Sequence, residues 1–337
     1  MNNTFGDKFK IELYGASHTK TLGVKIWGVP NNFILDIKNL NIELARRKSY
    51  TKNIGTTKRI ELDQPSKIEK HDNFILIEFE NNNIKDEDYY QFIDIPRPSH
   101  SDYVQYNRYK TKESILGGGI SSGRMTLPLV AAGFVAKELL KYYGLQTRII
   151  TNIVQLGTCK DKEYFIQTLQ NAIKTQDSLG VKINCTVIDP PKFVGEPFFD
   201  SVESIISHGI FSIPGVKGIE FGDGFECYTK TGKERNDVFI SKEGKTLTNN
   251  EGGINGGLTN GNKIFFNVAI KPTASIYQEQ ETYNFKTNQM DSLKIKGRHD
   301  ICFGLRVPVI IESVTAISLL NLYLCKNYQN RKIDIDQ

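Results

Sequence analysis

The spacing of apolar residues constrains this chain most, because it switches repeatedly between a period of two and a period near 3.6. Strand-like runs bounded by turn residues occupy 8–15, 23–29, 74–80, 147–157, 181–189 and 263–272, and several alternate or are rich in Ile, Val and Phe. Helical patterns fall between them at 38–47, 127–143, 161–174, 201–208 and 307–324. Gly144 closes the second, and Asp200 with Glu203 gives the fourth a capping-box spacing. The two kinds of segment do not alternate regularly, which predicts an α+β fold and disfavours a doubly wound nucleotide-binding sheet.

With 337 residues, 39% hydrophobic and 24% charged, the chain is neither disordered nor collagen-like. No linker divides it, so one domain is expected over 1–325, followed by a polar tail at 326–337. The net charge of +5 is mild and forms no basic run, which argues against a nucleic-acid partner and for local sites that hold a small anion. Five scattered cysteines without a C-x-x-C suggest reduced thiols and no metal site. The amino terminus is polar, with no secretory core region. The apolar stretch from Val307 contains Pro308, Glu312 and Asn321, so it reads as a buried helix, with no membrane partner and a cytoplasmic location expected.

Four segments have compositions that packing alone does not demand. Residues 15–19 form a small-residue turn after a strand and present His18 where functional side chains often sit; a structural turn histidine is the competing reading. In 97–103, Pro98 forces Arg97 out of the helical region. His100 and Asp102, two apart, share a face of an extended chain, where a carboxylate would raise the imidazole pKa and favour a protonated acid. Residues 116–126 place three glycines before a helix whose amino terminus favours an anion, with Thr126 as the expected cap and Arg124 within reach of phosphate. The Gly/Asn-rich stretch from Thr248 leads into a strand ending at Lys271, Thr273 and Ser275, one cation and two hydroxyls at alternate positions.

Seven motifs then occur in a fixed order: Asp177 to Gly180, Val194 to Asp200, Ser212 to Phe225, Asn236 to Phe239, Thr248 to Gly261, Lys271 to Thr273, and Gly297 to Asp300. Through them the chain resembles the chorismate synthase family from Asn3 to about Leu320. The resemblance implies helices sandwiched between antiparallel sheets and a homotetramer. It also implies 1,4-elimination of phosphate from 5-enolpyruvylshikimate 3-phosphate, with reduced FMN as a cofactor that is not consumed. Some relatives reduce their own flavin, which links NADP to the family. By position, His18 and His100 match the family's catalytic histidines, acids near the leaving phosphate and near the flavin, and Asp300 matches the aspartate beside flavin N5. Ser121, Ser122, Pro214, Gly215, Gly256, Lys271, Pro272, Thr273, Ala274, Ser275 and Arg298 match FMN contacts. Arg46, Arg47, Lys48 and Arg124 fall where the anionic substrate is held.

The match departs from the family pattern at charged positions. The family's G-E-S-H-G has Ala16 for the glutamate, and its R-G-G-G-R-S-S-A-R-E-T has Leu116 and Ile120 for two arginines and Met125 for the glutamate. Lys48 replaces a third consecutive arginine, with Ser49 and Tyr50 after it, and the last arginine of that stretch falls near Lys52 or Asn53. Each arginine lost from a desolvated polyanion site removes on the order of 2–5 kcal/mol, and lysine offers a point charge where a planar fork is replaced. Two readings follow: a synthase whose remaining cations suffice, or a paralogue that binds FMN and oligomerises with weak, altered or no synthase activity.

Overall fold

The computed structural model describes residues 3–48, 54, 56, 63–81, 89–297 and 299–336, with side chains to 327. Ser49, Tyr50, Lys52, Asn53 and Arg298 lie outside the described residues.

Two antiparallel sheets enclose a helical layer. The first joins β1 (Thr4–Phe5), β2 (Lys10–Gly15), β3 (Thr21–Trp27), β4 (Lys67–Lys70) and β5 (Ile75–Glu80) in the order β1-β2-β3-β5-β4. The second joins β6 (Arg148–Leu156), β7 (Val181–Ile188), β8 (Val216–Phe221) and β11 (Ile264–Ile270) in the order β6-β7-β11-β8. Two hairpins stand apart, β9 (Ile254–Asn255) with β10 (Leu258–Thr259) and β12 (Gln280–Asn284) with β13 (Gln289–Leu293). The helices are α1 (Ile37–Ala45), α2 (Gln91–Asp94), α3 (Asp102–Tyr109), α4 (Thr126–Tyr142), α5 (Phe165–Lys174), α6 (Val202–Phe211), α7 (Gly232–Arg235) and α8 (Pro308–Asp336). The expected α+β sandwich is therefore present.

Period-two alternation decides which sheet face turns inward. Along β7, Val181, Ile183, Cys185 and Val187 are buried, and across the ladder Ile264, Phe266, Val268 and Ile270 of β11 join them. Leu22, Val24 and Ile26 of β3 and Ile75, Ile77 and Phe79 of β5 do the same in the first sheet. Each such side chain contributes roughly 1.5–3 kcal/mol of burial. Between the sheets, α4 packs on β3 and α8 on β6 and β7, and the two helices pack on each other. Their apolar residues point all round, as central helices require. Pro308–Asn327 is long and apolar enough to cross a bilayer, but it lies in this core.

Gly133 sets how closely the central helices approach. A Cβ there would lie 2.1 Å from Cβ of Ser313, so only a hydrogen fits at the crossing. Three local expectations are corrected. Helix α6 is capped by Ser201, whose hydroxyl accepts from the Ser204 N–H, because Asp200 belongs to the preceding 3-10 turn. Thr126 is the first residue of α4 rather than its cap; Ser122 caps the preceding turn through the Arg124 N–H. The last helix does not stop at Leu324 but continues to Asp336.

Candidate active site

Strand ends of both sheets and the turns before α3 and α4 converge on one region. Leaving β2 at Gly15 (φ +86°), the chain turns sharply and presents Ser17 and His18. The Ser17 hydroxyl donates to the Leu116 carbonyl at 2.7 Å, so its oxygen accepts from Nδ1–H of His18 at 3.1 Å. Opposite stand Gly117, Gly118 and Gly119, all at positive φ. A Cβ at Gly117 would fall 2.1 Å from Cε1 of His18, so glycine is what admits the imidazole.

His100 arrives on a tight turn with Ser99 at φ +57°, directly before α3. Its Nδ1 lies 2.7 Å from Oδ1 of Asp102, a side chain buried at the first position of α3. Arg97 grips the same carboxylate with Nε and Nη2, each at 2.7 Å, and its guanidinium stacks 4.3 Å over Phe92. Burial opposes charge on Asp102, but hydrogen bonds from Arg97 and His100 outweigh it and hold the carboxyl at about 2. The histidine moves opposite to expectation. Burial pushes the His100 pKa down, the hydrogen bond it donates to Asp102 does not compensate, and the charges of Arg97 and Lys271 lower it further.

At the end of β11, Lys271 donates to the Ser99 carbonyl at 2.7 Å, and its own N–H pairs with Gly215. The Thr273 hydroxyl is buried with no hydrogen-bond partner among the described residues. Across the site both oxygens of Asp300 are held by Arg306, Nε at 2.7 Å and Nη2 at 3.0 Å. Arg306 also donates to the carbonyls of Arg47 and Lys48. His299 stacks on Tyr277 at 3.9 Å between centroids, and burial, then Arg97, lower its pKa to about 4.

These elements surround two adjoining cavities of about 550 and 540 Å3 that share Ser99, His100, Ser101, Ser121, Pro214, Gly215 and Lys271 as a common wall. One is lined by His18, Ser122, Arg124, Pro272, Thr273, Ala274 and Asp300. The other is lined besides by Ile120, Met125 and Phe211, of which Ile120 and Phe211 are exposed. Most of the residues expected at the site from sequence are therefore brought together.

The others are placed elsewhere. Ser275 is buried behind the cavity, its hydroxyl accepting from Nη1 of Arg97 at 3.0 Å. Gly256 sits exposed in the turn between β9 and β10, outside both cavities. The arginine row at the end of α1 differs most from expectation. Arg46 is bound by Glu312, with two contacts of 2.7 Å, and by Glu43. Arg47 is buried on Asp63 and Thr126, and Lys48 is exposed. None of the three lines either cavity, because carboxylates or solvent already hold them. Arg124 does line the cavity and shares Asp63 with Arg47 at 2.6 Å. Sequence reasoning left Ser17, Tyr89, His299 and Phe303 unassigned, although all line the cavity. Ser17 and His299 sit beside assigned histidine and aspartate positions, which is a usable signal; Tyr89 and the buried Asp63 carried none.

Comparison with known proteins gives the family and the fold. The chorismate synthase family profile matches residues 9–324. A chorismate synthase of Chitinophaga pinensis is 43% identical over 335 residues, covering 98% of each chain. Those of Parabacteroides distasonis and Dehalococcoides mccartyi are 36% and 34% identical over 96% of this chain. A crystal structure of a chorismate synthase superposes with a TM-score of 0.70 over 95% of this chain and 93% of that one, at 22% identity, which shows a shared fold. The chain belongs to the chorismate synthase family. It is an enzyme, a carbon–oxygen lyase that forms chorismate by eliminating phosphate from 5-enolpyruvylshikimate 3-phosphate. Nothing in these comparisons favours a divergent paralogue over that function, and the family implies a flavin cofactor.

Proposed function

We propose that the paired cavities hold reduced FMN and the enolpyruvyl substrate side by side, with the shared wall as the place where they meet. The observation that carries this reading is the pairing itself: two chambers of about 550 and 540 Å3, each in the range that encloses a small ligand, joined at His100 and Lys271. The residues fit an FMN phosphate and an amide-rich ring. Thr273 offers a buried hydroxyl with no hydrogen-bond partner among the described residues, Lys271 a cation beside it, and the Gly117–Gly119 turn lets backbone come close. Ser121, Ser122, Pro214, Gly215, Pro272 and Ala274 complete that lining. When bound, reduced flavin supplies electron density to the eliminating substrate and is recovered.

The chain's own groups bind the ligands and handle protons. Arg124 holds an anionic group of the substrate, its guanidinium fixed by Asp63 and Asn81. His18, oriented by Ser17, delivers a proton from Nε2 toward the departing phosphate. His100 exchanges a proton at Nε2 on the flavin side. Asp300, held by Arg306, would stand beside the flavin and assist its uptake of the proton lost from substrate carbon. Ile120 and Met125 line one chamber with apolar surface where the family carries charge, so the grip on anions rests on Arg124 and Lys271. We further place the enzyme in the cytoplasm as a homotetramer, the assembly that the family resemblance implies.

Anaerobic incubation with reduced FMN and 5-enolpyruvylshikimate 3-phosphate is expected to release phosphate and produce chorismate absorbance. Absence of turnover at millimolar substrate would overturn the proposal. A parallel sample with oxidised FMN and NADPH reads whether the protein reduces its own flavin.

A further inference from the structure

The turn that carries His100 holds more buried charge than a positioned imidazole requires. Four contacts meet on the Asp102 carboxylate: Nδ1 of His100, Nε and Nη2 of Arg97, and the Arg97 backbone N–H at 3.2 Å. Asp102 is 1% exposed and Arg97 8%, so neither charge is screened by water. Two further ties bind this turn to the end of β11, from Arg97 to the Ser275 hydroxyl and from Lys271 to the Ser99 carbonyl. The strained Ser99 conformation is thus held from both sides. Such a network is over-determined for a surface turn and suited to a part whose orientation matters.

We propose that Arg97 and Asp102 are a positioning pair for His100: the carboxylate takes the Nδ1 proton and fixes that tautomer, and the guanidinium keeps the imidazole neutral, with the Nε2 lone pair facing the cavity. The inference rests on the synthase reading only for what occupies that cavity. An ionised carboxylate has only acceptor oxygens, so a 2.7 Å contact from Nδ1 places the proton on Nδ1. Without Arg97, a buried carboxylate at that distance would draw a second proton onto the ring and leave Nε2 a donor. With the guanidinium forked onto Asp102, the carboxylate is already neutralised. The pair then presents an uncharged imidazole that accepts a hydrogen bond or a proton at Nε2.

The groups facing His100 are Arg97 and Asp102 on its own segment and Lys271 just after β11, while His18, Tyr89, Arg124, His299 and Asp300 line one cavity with it and His208 and Lys217 the other. Burial, Arg97 and Lys271 favour the neutral ring, and Asp102 opposes them. An anion bound at Lys271 removes one of these influences, so the proton affinity of Nε2 rises as the site fills. His100 is therefore a proton acceptor in the free protein and becomes a donor only with an anionic ligand in place, rather than a standing acid.

The test is a histidine-selective 15N NMR titration of the full chain without ligand, with His100 assigned by difference against His100→Gln. The expected result is the Nδ1–H tautomer at pH 7 and a protonation midpoint below 6.5. Adding inorganic phosphate should move that midpoint upward. Arg97→Met is expected to raise it by about one unit or more, Arg97→Lys to restore part of the shift, and Asp102→Asn to lose the Nδ1–H signature. A cationic or Nε2–H ring in the unaltered protein at pH 7 overturns the proposal, even if every variant fails to fold. An unmoved midpoint in a folded Arg97→Met protein overturns the role of the guanidinium. Because the readout needs no turnover, absence of synthase activity would count against the proposed function and leave this result untouched.

Discussion

At the scale of single residues, the site depends on what is missing as much as on what is present. Gly117 gives His18 its place by having no side chain, and the methyl of alanine would collide with the ring at Cε1. Its positive φ adds strain for any other residue. Gly117→Ala is therefore expected to lower kcat by 10-fold or more, the order associated with a misplaced general acid. FMN affinity should fall less than kcat, since Lys271 and Thr273, just after β11, keep their places while the His18 ring is displaced. Stopped anaerobic assays beside flavin titration check this; equal losses in both would show a general collapse of the pocket. At this scale the sequence was largely legible. His18, His100, Arg124, Lys271 and Thr273 were recognisable as chemistry-bearing types in small-residue or proline-marked turns, and the family resemblance added Asp300, Pro272 and Ala274. Their protonation was not legible. The nearness of Asp102 to His100 followed from a spacing of two, but the opposite pull of burial and Arg97 depended on neighbours that spacing does not reveal.

At the scale of elements, the central pair α4 and α8 sets the distance between the two sheets and hence the room for the site. Gly133 and Ser313 meet at that crossing. Gly133→Ala improves helix propensity by roughly 1 kcal/mol, but the added methyl must displace a backbone-proximal atom of α8. The net expectation is destabilisation of about 1–3 kcal/mol, read as a lower urea midpoint with unchanged slope. Position and type of these helices were readable from periodicity; boundaries were less so. The Ser201 cap of α6 competed with Asp200, one residue earlier, and only the turn at Phe198–Asp200 settled which oxygen reached an N–H. The end of α8 was misjudged because polar residues after Cys325 lack the apolar stripe that marks a buried helix, while still continuing a helix already begun.

At the scale of the whole molecule, buried ion pairs join elements distant in sequence. Glu312 of α8 takes Arg46 from the end of α1, Lys137 from α4 and Thr151 from β6. Burial disfavours its charge, but hydrogen bonds from Arg46 and the nearby Lys137 hold the carboxyl at about 2, below the ordinary 4.5. A depressed carboxylate pKa stabilises the fold fully above the unfolded value and loses that stabilisation as pH falls through the folded one. Stability is thus expected to decline between about pH 4.5 and pH 2 through this group. Glu312→Gln should remove about 3 kcal/mol at pH 7, the low end for breaking a buried pair because Arg46 stays 43% exposed. The variant should also show a flatter acid limb in thermal melts between those pH values. An unchanged acid limb would assign the loss to other carboxylates.

The sequence alone determined the α+β class, the alternation that turns each sheet face inward, the order of the motifs and most side chains of the candidate cavity. These are local matters of period, turn chemistry and residue type. Only the tertiary structure decided which cations remain available to a ligand. Arg46, Arg47, Arg124 and Arg306 look alike along the chain, yet Glu312, Asp63 and Asp300 engage them in the fold, and only Arg124 of these four lines the cavity. An arginine's role follows from which carboxylate the fold brings within about 3 Å of it, and the partners here lie from 3 to 266 residues away in sequence.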